Sequence, residues 1–135
     1  AYASHINGNA PLATLDFVNQ DKVSQYLSIE SQLIAYCKNQ ADVTKLAKEL
    51  ASEPTEYLSW LWYLLTDAQK VHYGLAMPFF TPGAAQLAEV VGYQSLYVQA
   101  QELLKLSEQL RTHIGLNAEL LILDWLFKFN GETCL

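Results

Sequence analysis

Apolar positions recur along this chain at intervals of three, four and seven residues, the period of a helix that buries one side. Over Lys22–Lys38 the apolar set is Val23, Tyr26, Leu27, Leu33, Ile34 and Cys37. The pattern returns in Val43, Leu46, Ala47 and Leu50, with Lys45, Lys48 and Glu49 opposite them. Punctuation residues bound each segment. The turn Asn7-Gly8-Asn9-Ala10-Pro11 predicts a short helix to about Val18, with Asn9 as N-cap and Pro11 as an early helical residue. Asn39-Gln40 ends the second segment, and Asp42 is placed to cap the third. Ser52-Glu53-Pro54 stops that helix and starts a fourth, whose first turn suits Pro54 and Glu56. Gly74 is placed to close it from a left-handed conformation. Leu75–Phe80 contains Pro78 and reads as a loop with an exposed Phe79-Phe80 pair. Thr81-Pro82, an N-cap followed by proline, predicts a short helix that ends near Gly92.

Tyr93–Ile114 reads as a long helix with Leu96, Leu103, Leu106, Leu110 and Ile114 in a near-heptad stripe. Gly115 stops it, Asn117 caps a last helix over Ala118–Asn130, and Gly131 is expected to terminate that one. With only Gly115-Leu116 between them, the two should pack as an antiparallel hairpin. No segment alternates with period two between hairpin turns, and there is no internal repeat. The fold class is therefore all-α, a bundle of six or seven helices ending in a long antiparallel helical hairpin.

Two segments are apolar around most of their circumference, which means burial on several sides. Between Leu120 and Phe129 only Asp124 and Lys128 are polar, and Tyr57–Leu65 is interrupted only by Ser59. Each such residue taken singly is most simply core. Taken as a set, with Phe79-Phe80 and Trp125, they exceed what one small bundle should cover and point to a subunit interface.

Composition narrows the function. The 135 residues suit one domain. At 51% hydrophobic and 16% charged they exclude intrinsic disorder, which needs little apolar surface and much charge. The net charge of −6 and the single arginine, Arg111, argue against independent binding of DNA or RNA. Cys37 and Cys134 lie far apart, outside any CxxC or Cys/His spacing, and read as reduced thiols of a cytoplasmic protein. The opening Ala1-Tyr2-Ala3-Ser4-His5 lacks a signal-peptide pattern and reads as the continuation of a longer chain. The longest apolar stretch is far short of the ~20 residues that span a bilayer. No membrane partner is expected.

Chemistry is sparse. The glycines are dispersed, so no phosphate-cradling loop exists. His5, His72 and His113 are isolated, with no HExxH or ExxH, so no zinc or di-iron site is predicted. Asp67, Gln69, Lys70 and His72 cluster near a helix end, where positive charge complements the helix dipole. No catalytic, metal-binding or cofactor-binding residue is assigned.

Three strings carry a resemblance. The first is Gly8-Asn9-Ala10-Pro11-Leu12-Ala13-Thr14-Leu15-Asp16-Phe17. The second runs from Trp60-Leu61-Trp62 to Asp67-Ala68-Gln69-Lys70-Val71-His72-Tyr73-Gly74. The third is Gly115-Leu116-Asn117-Ala118-Glu119-Leu120-Leu121-Ile122-Leu123-Asp124-Trp125-Leu126. In this order they resemble the lid turn and collar domain in the C-terminal part of the delta-prime subunit of the bacterial DNA polymerase III clamp loader. The resemblance covers residues 6 to 130. It implies that residues 1–18 are a remnant of the AAA+ lid and residues 19–135 a helical collar, or oligomerisation, domain.

The resemblance further implies partners: the gamma/tau and delta subunits of the loader, with DNA reached only through the full complex. The family's nucleotide fold, zinc module and arginine finger lie outside these residues. Where ATP-hydrolysing relatives carry a lid arginine, this chain has Pro11, which offers a phosphate no charge. The implied role is assembly during DNA replication, without cofactor, metal or enzymatic activity of its own. The parent holoenzyme is a DNA-directed DNA polymerase, a transferase. Leu103, Leu106, Leu110, Leu121, Trp125 and Phe129 are the interface candidates, and Gly74, Gly115 and Asn117 the structural caps. Two other classes stand beside this reading. One is a small helical ligand-binding or regulatory protein whose Trp60, Trp62, Tyr63, Trp125 and Phe127 enclose an apolar pocket. The other is an enzyme acting through His72 or His113.

Overall fold

The structure is a computed structural model that describes residues 2–19, 21–39, 42–113 and 115–133. Among the described residues there are eight helices and no strand. They are α1 (Tyr2–Ile6), α2 (Pro11–Asn19), α3 (Lys22–Cys37), α4 (Val43–Ser52), α5 (Pro54–His72), α6 (Ala84–Val90), α7 (Tyr93–Thr112) and α8 (Ala118–Thr133). None of them is long and apolar enough to cross a membrane.

The fold is organised around α5. Pro54 starts it at a position where the missing N–H has no helical acceptor to lose. Its end is closed by Gly74 at φ 82°, whose N–H donates to the Val71 carbonyl at 2.9 Å while Leu75 N–H donates to Lys70 at 3.2 Å. A side chain at that φ would be strained, so glycine belongs there. Tyr57, Leu58, Trp60, Leu61, Leu64, Leu65 and Ala68 are buried along its length. Most of the apolar surface of this helix is covered within the chain. Helix α7 packs on one side of it, and α6, α4, α3 and α1 on others.

Helices α7 and α8 run antiparallel, joined by residues 113–117. The Trp125 indole donates to the Gln99 carbonyl at 3.2 Å, while Leu121 sits beside Leu106 and Gln109. The pair does not stand apart as a projecting hairpin. Helix α7 packs most extensively on α5, and α8 on α4. The Tyr36 hydroxyl, donating to the Leu126 carbonyl at 2.6 Å, ties α3 to α8. Asn117 Oδ1 accepts from Leu120 N–H at 3.1 Å, and Asp42 Oδ1 accepts from Thr44 N–H at 3.0 Å, each supplying an acceptor to an otherwise orphaned donor.

Several local expectations change. Helix α1 adds an element, anchored by the buried Ile6. Asn9 does not cap α2. It lies at φ 61° after Gly8 at φ 63°, and its N–H donates back to Ser4 at 2.7 Å, closing α1. Thr81 lends no side-chain cap to α6, because its hydroxyl is used elsewhere, as follows. Helix α8 runs through Gly131 to Thr133, since an interior glycine costs only about 1 kcal/mol where the helix is otherwise supported. Gln40, Ile114 and Cys134 lie outside the described residues. Cys37 is buried, and desolvation pushes its thiol up to about 12, which leaves it unreactive at neutral pH.

The helices are keyed together by a buried polar cluster. Asp67 of α5 is fully buried. His5 donates from Nε2 to its Oδ1 at 2.9 Å, and Thr81 donates to Oδ2 from its N–H at 2.9 Å and its hydroxyl at 3.1 Å. Beside it, Glu30 of α3 accepts from the Tyr26 hydroxyl at 2.6 Å and from Gly83 N–H. A Cβ on Gly83 would stand 2.5 Å from the Glu30 carboxyl carbon, so only glycine allows this approach. Phe79 is exposed, as expected, and Phe80 half-buried, and both lie against the His5 ring, at 5.0 and 6.4 Å.

Burial raises the Glu30 carboxyl above the ordinary glutamate range, although the Tyr26 and Gly83 bonds pull it down. The folded chain therefore holds this proton more tightly than the unfolded chain. Its contribution to stability is full below the ordinary glutamate pKa of about 4.3 and falls as pH rises through the raised value. Glu30→Gln should flatten that decline in urea midpoints measured from pH 4 to 8. A variant profile parallel to the wild type's would show that Glu30 does not govern it.

Candidate assembly surface

The six candidate interface residues divide by burial. Leu103 and Phe129 are wholly inside the domain, and Trp125 and Leu106 nearly so. Leu110 and Leu121 are partly buried against the core. The structure brings Leu106, Leu121 and Trp125 together in the α7–α8 groove, rimmed by Glu102, Lys105, Asp124 and Lys128. Trp125 packs edge-on to Phe129 at 5.5 Å, and its N–H is taken by Gln99. The contacts of Leu103, Trp125 and Phe129 are thus already filled within one chain, and a neighbour has little of them left to touch.

Other residues of α8 face outward. Leu120 is 61% and Phe127 57% exposed, Leu116 just before the helix is 44% exposed, and Leu123 is half-buried. Leu120, Leu123 and Phe127, three and four residues apart, share one face of α8. The sequence did carry a signal for this. Asp124 and Lys128, paired at 3.3 Å and both exposed, mark the solvent side of α8, and Leu120 and Phe127 sit on the same arc. Periodicity alone misses it because a helix that is apolar all round has no preferred face.

Two further apolar surfaces are open. Leu12, Leu15 and Val18 form an exposed stripe on α2, whose inward residue is Phe17. Trp62 and Tyr63 of α5 are half-buried beside the exposed Leu104 of α7.

The aromatic side chains do not converge on one pocket. Trp60 lies in the core against Phe17, Tyr26 and Tyr57, with ring centroids 5.1–5.8 Å apart. Trp125 is packed on α8, Phe127 points to solvent, and Trp62 and Tyr63 line open surface grooves. The His72 ring donates to the Val91 carbonyl at 2.9 Å, fixing α5 to the end of α6. His113 is exposed beside the Thr112 hydroxyl. Among the described residues no three His, Cys, Asp or Glu side chains are placed to hold a metal ion.

A family model described as DNA polymerase III, delta subunit, C terminal, matches residues 20–131. The match opens just after α2 and takes in α3 to α8. No curated protein matches the chain.

Burial separates core from surface in a measurable way. Trp125→Ala should cost about 3–5 kcal/mol of stability in urea unfolding, through the cavity it leaves. Leu120→Ala should stay within about 0.5 kcal/mol, as an exposed position does. An unchanged midpoint for Trp125→Ala would remove it from the core.

Proposed function

This chain belongs to the family of DNA polymerase III clamp-loader domains found at the C terminus of the delta subunit, and from that premise we propose that it is the collar that holds its parent protein in the loader during DNA replication. The observation that carries the reading is the outward stripe Leu120, Leu123 and Phe127 on α8, with the exposed Leu116 just before it. A helix that leaves large apolar side chains in solvent, in a domain of this family, is suited to pack against a neighbour. Burying such side chains stabilises an interface by roughly 25 cal/mol per Å2 of apolar surface removed from water.

The finer reading is a delta-prime-type collar whose neighbours are the gamma/tau and delta subunits. Residues 1–18 act as a lid remnant, which is supported by a family match that begins at residue 20. These residues nonetheless share the domain core through Ile6 and Phe17, so lid and collar move together at this joint. Pro11 at the lid turn is in keeping with a protein that binds no nucleotide there. Contact with DNA is made by the assembled loader in the cytoplasm, and the acidic balance of this chain suits that division of labour.

Mixing the chain with the collar regions of gamma/tau and delta should give a co-complex in size-exclusion chromatography with light scattering at tens of micromolar. Leu120→Asp combined with Phe127→Asp should weaken it more than tenfold, about 1.4 kcal/mol, while the melting temperature holds. If the wild-type chain forms no co-complex, the collar reading is rejected. If the double variant assembles normally, the stripe is not the seam.

A further inference from the structure

A second surface shares no residue with the α8 stripe. Trp62 and Tyr63 are shared by two adjoining grooves that together make a strip along α5. In one direction it passes Ser59 and ends at Thr55, beside Leu104 and Arg111 of α7. In the other it passes Thr66 and ends at Lys70 and Tyr73. At 1.5 Å per residue, Thr55 to Tyr73 spans about 27 Å. Tyr73 is 71% and Leu104 46% exposed, so the chain itself leaves this groove uncovered.

The charge here is the reverse of the whole. The chain has 14 acidic residues against eight Lys and Arg, yet no carboxylate lines either groove, while Arg111 stands in one and Lys70 in the other. Lys70 lies over the Phe80 ring at 5.8 Å and makes no ion pair among the described residues. Arg111 is paired with the exposed Glu108 through one terminal nitrogen. Its other guanidinium donors remain for an incoming carboxylate. Trp, Tyr and Arg are the side chains that most often dominate binding energy at interfaces.

We propose that this groove takes an amphipathic helix of a partner protein in the loader, about four turns long, apolar in its middle and bearing a carboxylate at each end. The inference rests on the assembly reading above. Lys70 and Thr55, which lines the same groove as Arg111, are 15 residues apart along α5, about 22 Å of helix, and the two carboxylates of the incoming helix are placed at about that spacing. Two cations at that separation are matched by two carboxylates. They are too few for duplex DNA, which presents a charge about every 1.7 Å.

The test uses the full-length protein in a loader reconstituted from purified subunits. Benzoylphenylalanine at Ser59, an exposed position in the groove floor, is photo-cross-linked and the joined peptide identified by mass spectrometry. The expected product is a helix of another loader protein with an apolar stripe and acidic residues about 15 positions apart. Lys70→Glu with Arg111→Glu should then weaken binding of that protein more than tenfold, and Glu→Lys changes at the two ends of the cross-linked helix should restore it. A loader that assembles without any Ser59 cross-link overturns the groove and leaves the collar reading standing. A cross-link to a second copy of this chain, to DNA, or to a helix without acidic ends also overturns it. A loader that excludes the wild-type protein overturns both readings.

Discussion

The carboxylate of Asp67 is the constraint on which the arrangement of helices depends. A charge removed from water is tolerated only where hydrogen bonds replace its hydration, and Asp67 obtains its bonds from two distant parts of the chain. His5 comes from α1, and Thr81 from the turn before α6. Meeting that demand fixes where α1 crosses α5 and where the loop after α5 returns. Glu30 imposes a second demand through Tyr26 and Gly83, and the glycine is required because its backbone approaches the carboxyl closely. Together the two acids hold α1, α3, α5 and the Thr81–Gly83 turn in one register, which apolar packing alone would leave free to slide.

With α5 held centrally, the division between core and surface follows. Its buried residues meet α7, α6, α4 and α3, and the arc left over carries Trp62, Tyr63 and Lys70. Helix α8 is treated differently because it lies at the edge, against α4 and α7. Only the arc of Ile122, Trp125, Leu126 and Phe129 finds partners in the chain, while Leu120 and Phe127 remain in water. Two helices of similar composition thus play different parts. One is buried at the centre along most of its circumference, while the other keeps a wider apolar arc in water.

The same geometry commits several potentially reactive side chains to the fold. Polar groups that might have formed a reactive site are used to hold the fold: Asp67 keeps His5, and His72 is tied to Val91. What the surface offers instead is apolar relief of differing charge, an α8 stripe beside an acid–base pair and an α5–α7 groove ended by cations. On the proposed assembly reading, such surfaces would select neighbours, since complementarity of charge and shape discriminates among proteins that are all helical.

Most of the architecture was legible in the residues. Helical periodicity, Pro54, Gly74, Asp42, Gly115 and Asn117 place the helices and several of their ends, because these act through local backbone geometry and the orphaned groups at helix termini. The family resemblance was also visible in short strings, although it spoke of delta-prime where the matching family is described by the delta subunit. Local rules failed where a distant partner competed with them. Thr81 looked like a helix cap and became a ligand of Asp67, and Asn9 closed α1 instead of opening α2. Tertiary structure decided how far the buried arc of α8 extends. Asp124 and Lys128 mark its solvent side, but the rest of its sequence is apolar nearly all round, and residue type does not separate Trp125 from Phe127. Only the positions of α4 and α7, set by contacts far away in the chain, bury the first and leave the second in water.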